Sequence, residues 1–274
     1  MTDQAPIDAA SNTRFGRTFV ALSVLGLAGV LSVIPSIFSQ LDALPPELAS
    51  LPTPLVVALS LANPLILLAV AVAVGTLLAH RVGLRSLVAA RARSGEAIWR
   101  NLRPHIPMAF AVGMVYAVVV LALDALINPF ANAELLADSF AEADILGQLL
   151  VGLFYGGIVE ELLLRWGLMS LLVWFGWWVV QRRQGLPRPA LVWVAIILAA
   201  ILFGVGHLPA MASLVALTPL IIFRTVLLNA LGGALFGWLF WRHNLEVAMV
   251  AHAATHVGFF VIRVGLLLLS LVMG

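Results

Sequence analysis

Seven apolar runs, most of them close to bilayer-crossing length, leave this chain few folds to choose from. They fall at about residues 19–38, 55–79, 106–127, 147–179, 190–208, 216–241 and 246–270. A helix needs roughly 20 apolar residues to cross the hydrocarbon core. Only helices and closed barrels satisfy their backbone groups there, and runs of this length without strict alternation are helical. The remaining composition agrees: 62% of the 274 residues are hydrophobic and 10% charged, where a soluble domain is near 45–50% and about 25%. The expectation is an all-α, polytopic transmembrane bundle of about 7–8 spans that fills the chain as a single membrane domain, residues 1–274, behind a polar N-terminal tail at 1–18. The eighth span would arise if the fourth run broke near Gly167 or Gly176, because 33 residues exceed one upright crossing.

Arginine placement orients the bundle. All fifteen basic residues are Arg. Arg14 and Arg17 precede the first run, six Arg from Arg81 to Arg103 fill the second connection, and Arg182, Arg183 and Arg188 fill the fourth. The first connection carries Asp42 and Glu47, and the third carries Glu134, Asp138, Glu142 and Asp144, all without Arg. By the positive-inside rule the N-terminus is cytoplasmic. The Arg81–Arg103 stretch, with Leu84, Leu87, Val88 and Trp99, suits either an interfacial helix on anionic lipid or a solvated loop helix. A net charge of +2 gives no reason to expect a nucleic-acid partner. The absence of Cys excludes thiolate ligands, disulfides and a Cys nucleophile.

Against this background the polar residues inside the runs stand out. Glu160 and Glu161 are adjacent in the fourth run, and each intramembrane carboxylate costs about 2.5–3.5 kcal/mol on insertion scales. On a helix Glu161 and Arg165 are four apart and share a face, so they pair. Glu160 points roughly 100° away and is left for other work, such as acting as a general acid or base. His207 closes Phe203-Gly-Val-Gly-His207 in the fifth run. His252 and His256, in His252-Ala-Ala-Thr-His256, repeat the i, i+4 spacing of helical zinc sites. Ala253 follows the first His where zinc-protease helices carry Glu, so a base must come from another helix. His207, His252 and His256 with a carboxylate make a chemically complete zinc set. A metal-free, glutamate-activated water is the alternative. Arg263 lies two turns beyond His256, Asn229 suits an interhelical hydrogen bond, and Gly152-x-x-x-Gly156 echoes Gly233-x-x-x-Gly237 as a close-packing pattern.

The three motifs, in this order, resemble the CPBP family of CAAX proteases and bacteriocin-processing enzymes, also called Abi. Its pattern is EExxxR, then FxxxH, then HxxxN or HxxxD. The matching stretch covers about residues 147–260. The resemblance implies a catalytic core of intramembrane helices that cleaves a peptide or protein substrate within membrane lipid. It implies that Glu160 and His207 activate a water, that His252 and position 256 hold the oxyanion or a metal, and that Glu161, Arg165 and Phe203 support them. Position 256 departs from the pattern, with His in place of an amide or carboxylate. Two rivals remain from the residues alone. Intramembrane Glu, Arg and His also serve proton- or ion-coupled transporters, and a non-catalytic immunity or scaffold protein can share the fold. Residue counting adds one tension: Glu160 falls at mid-span, His207 near an outer end and His252 nearer an inner third, so straight, centred helices would keep them apart.

Overall fold

The computed structural model describes residues 6–39, 41, 50–127 and 144–273, with side chains from Arg14 onward. Asp42, Glu47, Glu134, Asp138 and Glu142, which entered the charge argument, lie outside the described residues. Every regular element among the described residues is helical. Seven helical segments are long and apolar enough to cross a membrane, in agreement with the hydropathy reading. The chain is an integral, multi-pass membrane protein.

Helix α1 spans Pro6–Leu31, so it begins inside the stretch expected as a polar tail, and α2 is the short Ile34–Ser39. Helix α3 spans Thr53–Leu78, and two short helices, α4 (Leu87–Ser94) and α5 (Ile98–Leu102), fill the Arg-rich connection. Helix α6 spans Ile106–Ile127. The fourth crossing, α7, runs Ile145–Val179 without a break. The expected split near Gly167 or Gly176 does not occur. Instead Gly152–Glu160 and Leu162–Met169 adopt i→i+5 bonding. This widens the helix, shortens its rise per residue and takes up the excess length; such turns are rare and gather at functional sites. Helices α8 (Pro189–Gly206), α9 (Leu208–Ala212), α10 (Pro219–Arg242) and α11 (Leu245–Met273) complete the bundle.

Lipid is as apolar as Leu, so helix association rests on close packing and hydrogen bonds. Helix α11 lies along α6, where a Cβ on Gly113 would fall 2.1 Å from the Ala251 carbonyl oxygen. Helix α8 lies along α10, where Gly204 meets Val226 and Gly233 meets Ala200 at backbone distance. Large apolar side chains such as Val24, Ile66, Val115 and Leu266 point outward, each more than half exposed, as lipid-facing residues do.

The Arg-rich connection is bolted to the bundle. Leu84 and Leu87 are buried in the protein, which corrects the picture of an apolar stripe facing lipid; Trp99 alone of that set is strongly exposed. Glu246, in the first turn of α11, explains the anchoring. Its carboxylate accepts hydrogen bonds from Ser86 Oγ (2.6 Å), Leu87 N (2.8 Å) and Val88 N (3.0 Å) at the start of α4. Arg93 reaches back to donate to Thr76 O and Thr18 Oγ1. Burial lowers its pKa from the ordinary arginine value.

Candidate active site

Glu161 organises the centre. It is fully buried between the two wide segments of α7, and its Oε1 lies 3.0 Å from Arg165 Nη1, the i, i+4 pair expected from sequence. Arg165 also donates to the Gly233 carbonyl of α10 (3.2 Å), and its guanidinium sits over the rings of Phe203 and Phe236, 5.0 and 5.5 Å from their centroids. The ion pair therefore ties α7 to α8 and α10. Glu161 Oε1 also lies 2.9 Å from His252 Nδ1, a contact that no spacing rule within one helix could reveal. A carboxylate only accepts, so the proton sits on Nδ1 and Nε2 is turned toward Glu160.

Glu160 is the open member of the pair. One oxygen lies 4.0 Å from His207 Nε2 and the other 3.8 Å from His252 Nε2. These separations are too long for direct hydrogen bonds and invite a bridging water. His207 sits in the turn after α8, and its Nδ1 is 2.8 Å from the Phe203 carbonyl one turn back. That carbonyl also only accepts, so His207 carries its proton on Nδ1 and, when neutral, presents a lone pair at Nε2. The same bond folds the ring back over the preceding turn. In the fold both His207 and His252 lie within about 4 Å of Glu160, against the separation that residue counting suggested. Phe203, in the FxxxH motif, also meets His207 edge-on at 4.7 Å.

His256 stands where the motif has an amide or carboxylate. Its ring lies nearly parallel to His252, with centroids 5.2 Å apart, and is seated in a slot on α7. A Cβ on Gly152 would come 2.4 Å from His256 Cγ and Nδ1, and one on Gly156 2.7 Å from Nε2. The Gly152-x-x-x-Gly156 pattern, read as general helix packing, is thus a receptacle for this imidazole. Phe236, which sequence reasoning did not single out, stacks on His252 with ring centroids 4.5 Å apart. A Phe in a hydrophobic span carries no signal of such a role.

These groups open into a cavity of about 760 Å³ that extends from Glu160, His207, His252 and His256 to Asp124, Arg224 and Arg263. Arg224 Nε bonds Asp124 Oδ1 at 2.5 Å across α10 and α6. Asn229, expected to bond across helices, donates within its own helix to Thr225 O (2.8 Å). Among the described residues no cluster of three or more His, Asp or Glu has metal-site geometry. The donors are chemically suited to zinc, with Nδ1 of His207 and of His252 held as metal-ligating imidazoles hold theirs. Their spacing is wider than a closed coordination sphere, in which ligand atoms at about 2.0–2.1 Å from zinc nearly touch.

Residues 142–258, the stretch that builds this centre, match a family described as Rce1-like, type II CAAX prenyl endopeptidase. Over this stretch the chain is similar to that family. The match is to a protease family of the CAAX type and covers less than half of this multi-pass membrane chain. All three motifs that carried the sequence resemblance fall inside the matched stretch. Neither the curated proteins nor the solved structures compared with the chain contain a match. The matched segment includes α7, α8, α10 and the first half of α11; α7, α10 and α11 supply Glu160, Phe236 and His252, and the turn after α8 supplies His207.

Proposed function

We propose that this protein hydrolyses a peptide bond within the membrane, using a water held between Glu160 and His207. The observation that carries the reading is the convergence of two imidazole Nε2 atoms, from different helices, on the two oxygens of one carboxylate. A water in that gap donates one hydrogen bond to Glu160 and one to the His207 lone pair. Both acceptors raise its nucleophilicity. Its oxygen attacks the scissile carbonyl carbon while its proton passes to Glu160. His252, oriented through Nδ1 by Glu161, turns Nε2 toward the oxyanion, with the His256 ring stacked against it. Collapse breaks the C–N bond, and Glu160 returns the proton to the leaving amine. The substrate is a peptide or protein presented from lipid, and the cavity's largely apolar wall suits an apolar chain. The whole chain acts as one membrane domain with its N-terminus cytoplasmic, as the arginine placement argues.

Cleavage of a membrane-tethered reporter peptide by full-length protein tests this. Glu160→Ala and His207→Ala should abolish cleavage while insertion and thermal unfolding stay near wild type. Full activity in either variant would sink the proposal.

A second reading has its own support. Engaged Nδ1 atoms on His207 and His252 leave both Nε2 atoms facing one carboxylate, the pattern that prepares a metal-ligating set. Zinc bound there would supply Lewis-acid polarisation, held by His207, His252 and Glu160. Metal analysis of purified protein decides: stoichiometric zinc that is lost in both His207→Ala and His252→Ala favours it, and metal-free active protein overturns it.

A further inference from the structure

The corner that joins α7 to α8 holds Arg182, Arg183 and Arg188, all exposed. Among the described residues none of the three is paired with a carboxylate, whereas Arg85, at the same end of the bundle, has Glu96 at 3.6 Å. The corner borders the Arg-rich connection, since a Cβ on Gly83 would fall 3.8 Å from Leu186 Cδ2.

This corner has a built backbone. Arg182 and Arg183 both take the left-handed conformation, with φ of 48° and 64°, and Gly185 follows at 61°. Residues other than Gly rarely adopt it, and two in succession persist only where their surroundings impose it. Those contacts are present. Arg183 N donates to Trp177 O (3.1 Å), Trp177 Nε1 to Gly185 O (2.9 Å), and Arg188 N to Gln181 Oε1 (2.7 Å). Among the described residues none of the three guanidiniums takes part in these bonds.

The reversal of the chain brings Arg183 back over α7. Its guanidinium carbon lies 6.0 Å from the Trp174 ring centroid and 5.9 Å from that of Trp178, and the two indoles stack at 5.6 Å. Such a contact positions the cation without an oxygen acceptor and leaves its N–H fork for another partner. Below the arginines the surface turns apolar. Phe175, Val179, Val180 and Leu186 are each more than half exposed. Trp178 on α7 and Trp193 on α8 are exposed at the same level, where indoles mark the boundary of hydrocarbon and headgroups. Unpaired guanidiniums above an apolar collar match a molecule that is anionic at one end and hydrocarbon at the other.

We propose that the α7–α8 corner binds an anionic phospholipid, with Arg182, Arg183 and Arg188 on the headgroup phosphate and an acyl chain along Phe175, Val179 and Leu186. Guanidinium forks meet phosphate oxygens in pairs. A lipid held there bridges the ends of α7 and α8, the helix that carries Glu160 and the one that leads into His207. The test needs no turnover and stands apart from the hydrolytic reading.

Full-length protein in neutral detergent is stripped of lipid and then exposed to an equimolar mixture of phosphatidylglycerol and phosphatidylcholine. Retained lipid is counted by mass spectrometry, and thermal unfolding is followed with each lipid and with water-soluble glycerol phosphate. Wild type should retain phosphatidylglycerol over phosphatidylcholine on the order of tenfold and unfold at a higher temperature with it. Changing all three arginines to Gln should remove both effects. Arg182→Gln with Arg188→Gln leaves the Arg183 contact with the indoles in place and should lose most of the preference, which keeps the test open where the triple variant fails to fold. Arg100→Gln with Arg103→Gln removes the same charge from the neighbouring connection and should keep the preference. No preference in wild type overturns the proposal, as does an undiminished preference in the Arg182/Arg188 variant or an equal loss in the Arg100/Arg103 variant. Stabilisation by glycerol phosphate equal to that by phosphatidylglycerol also overturns it, because the acyl chain then contributes nothing.

Discussion

Glu246 and Glu160 are both carboxylates in a hydrophobic bundle, and their surroundings differ completely. Glu246 accepts from one hydroxyl and two backbone N–H groups, all within 3.0 Å. Its charge is fully used in joining α11 to α4. Glu160 has imidazoles at 3.8 and 4.0 Å and faces a cavity. A buried carboxylate whose lone pairs are filled is a structural joint. One left with room for a water between it and its neighbours is poised for chemistry. Glu161 stands between the two, since it holds Arg165 as a joint and orients His252 for the centre.

The sharpest way to break this ordering is Glu161→Gln, which should fail on both counts. Arg165 becomes a buried charge without its counter-ion, a loss of about 3–5 kcal/mol. Activity per folded molecule should also drop roughly 10–100-fold as His252 loses its oriented partner. Unfolding in detergent and turnover corrected for folded fraction separate the two effects; a variant impaired in only one would remove Glu161 from its middle position.

Next comes the crossed pair Glu160→Gln and Glu246→Gln. The first should lower turnover on the order of 10²–10⁴-fold with unfolding unchanged. The second should lower stability by about 1–3 kcal/mol with turnover per folded molecule nearly intact. Matching profiles for the two variants would erase the distinction between joint and reactive group.

Gly156→Ala probes the His256 slot. The added methyl meets Nε2, so overpacking should cost about 1–3 kcal/mol. Adding His256→Ala should recover most of that loss, and equal penalties with and without the imidazole would show that the slot is not specific.

The smallest effect is at the loop joining α10 to α11. Burial, followed by the neighbouring charges of His105 and Arg242, lowers the His243 pKa from its ordinary 6.5. The unfolded chain then binds more protons below about pH 6.5, so this group's stabilising contribution is full above that value and lost as pH falls through it. His243→Gln should flatten that part of the stability profile; a profile identical to wild type would exclude His243 as its source.

Much of the architecture was legible because hydrocarbon imposes a strong local rule. A run of about 20 apolar residues must become a helix wherever the chain goes, so all seven crossings could be read from hydropathy. The continuous fourth crossing was not, since i→i+5 bonding in Gly152–Glu160 depends on what the helix packs against. The Glu161–Arg165 pair was legible because four residues on one helix are neighbours in any context. The contact of Glu161 with His252 and the stacking of Phe236 were not, because they join positions far apart in the chain. For the same reason the sequence marked Gly152 and Gly156 as small but not as a seat for His256.

By itself, then, the sequence determined the helices, their number and the order of the motif residues, through rules that act within one turn or one span. Only the tertiary structure decided which glutamate is saturated and which is left open. That distinction depends on groups brought in from the start of α4, the turn after α8 and α11, and it turns on separations of about an ångström that only packing sets.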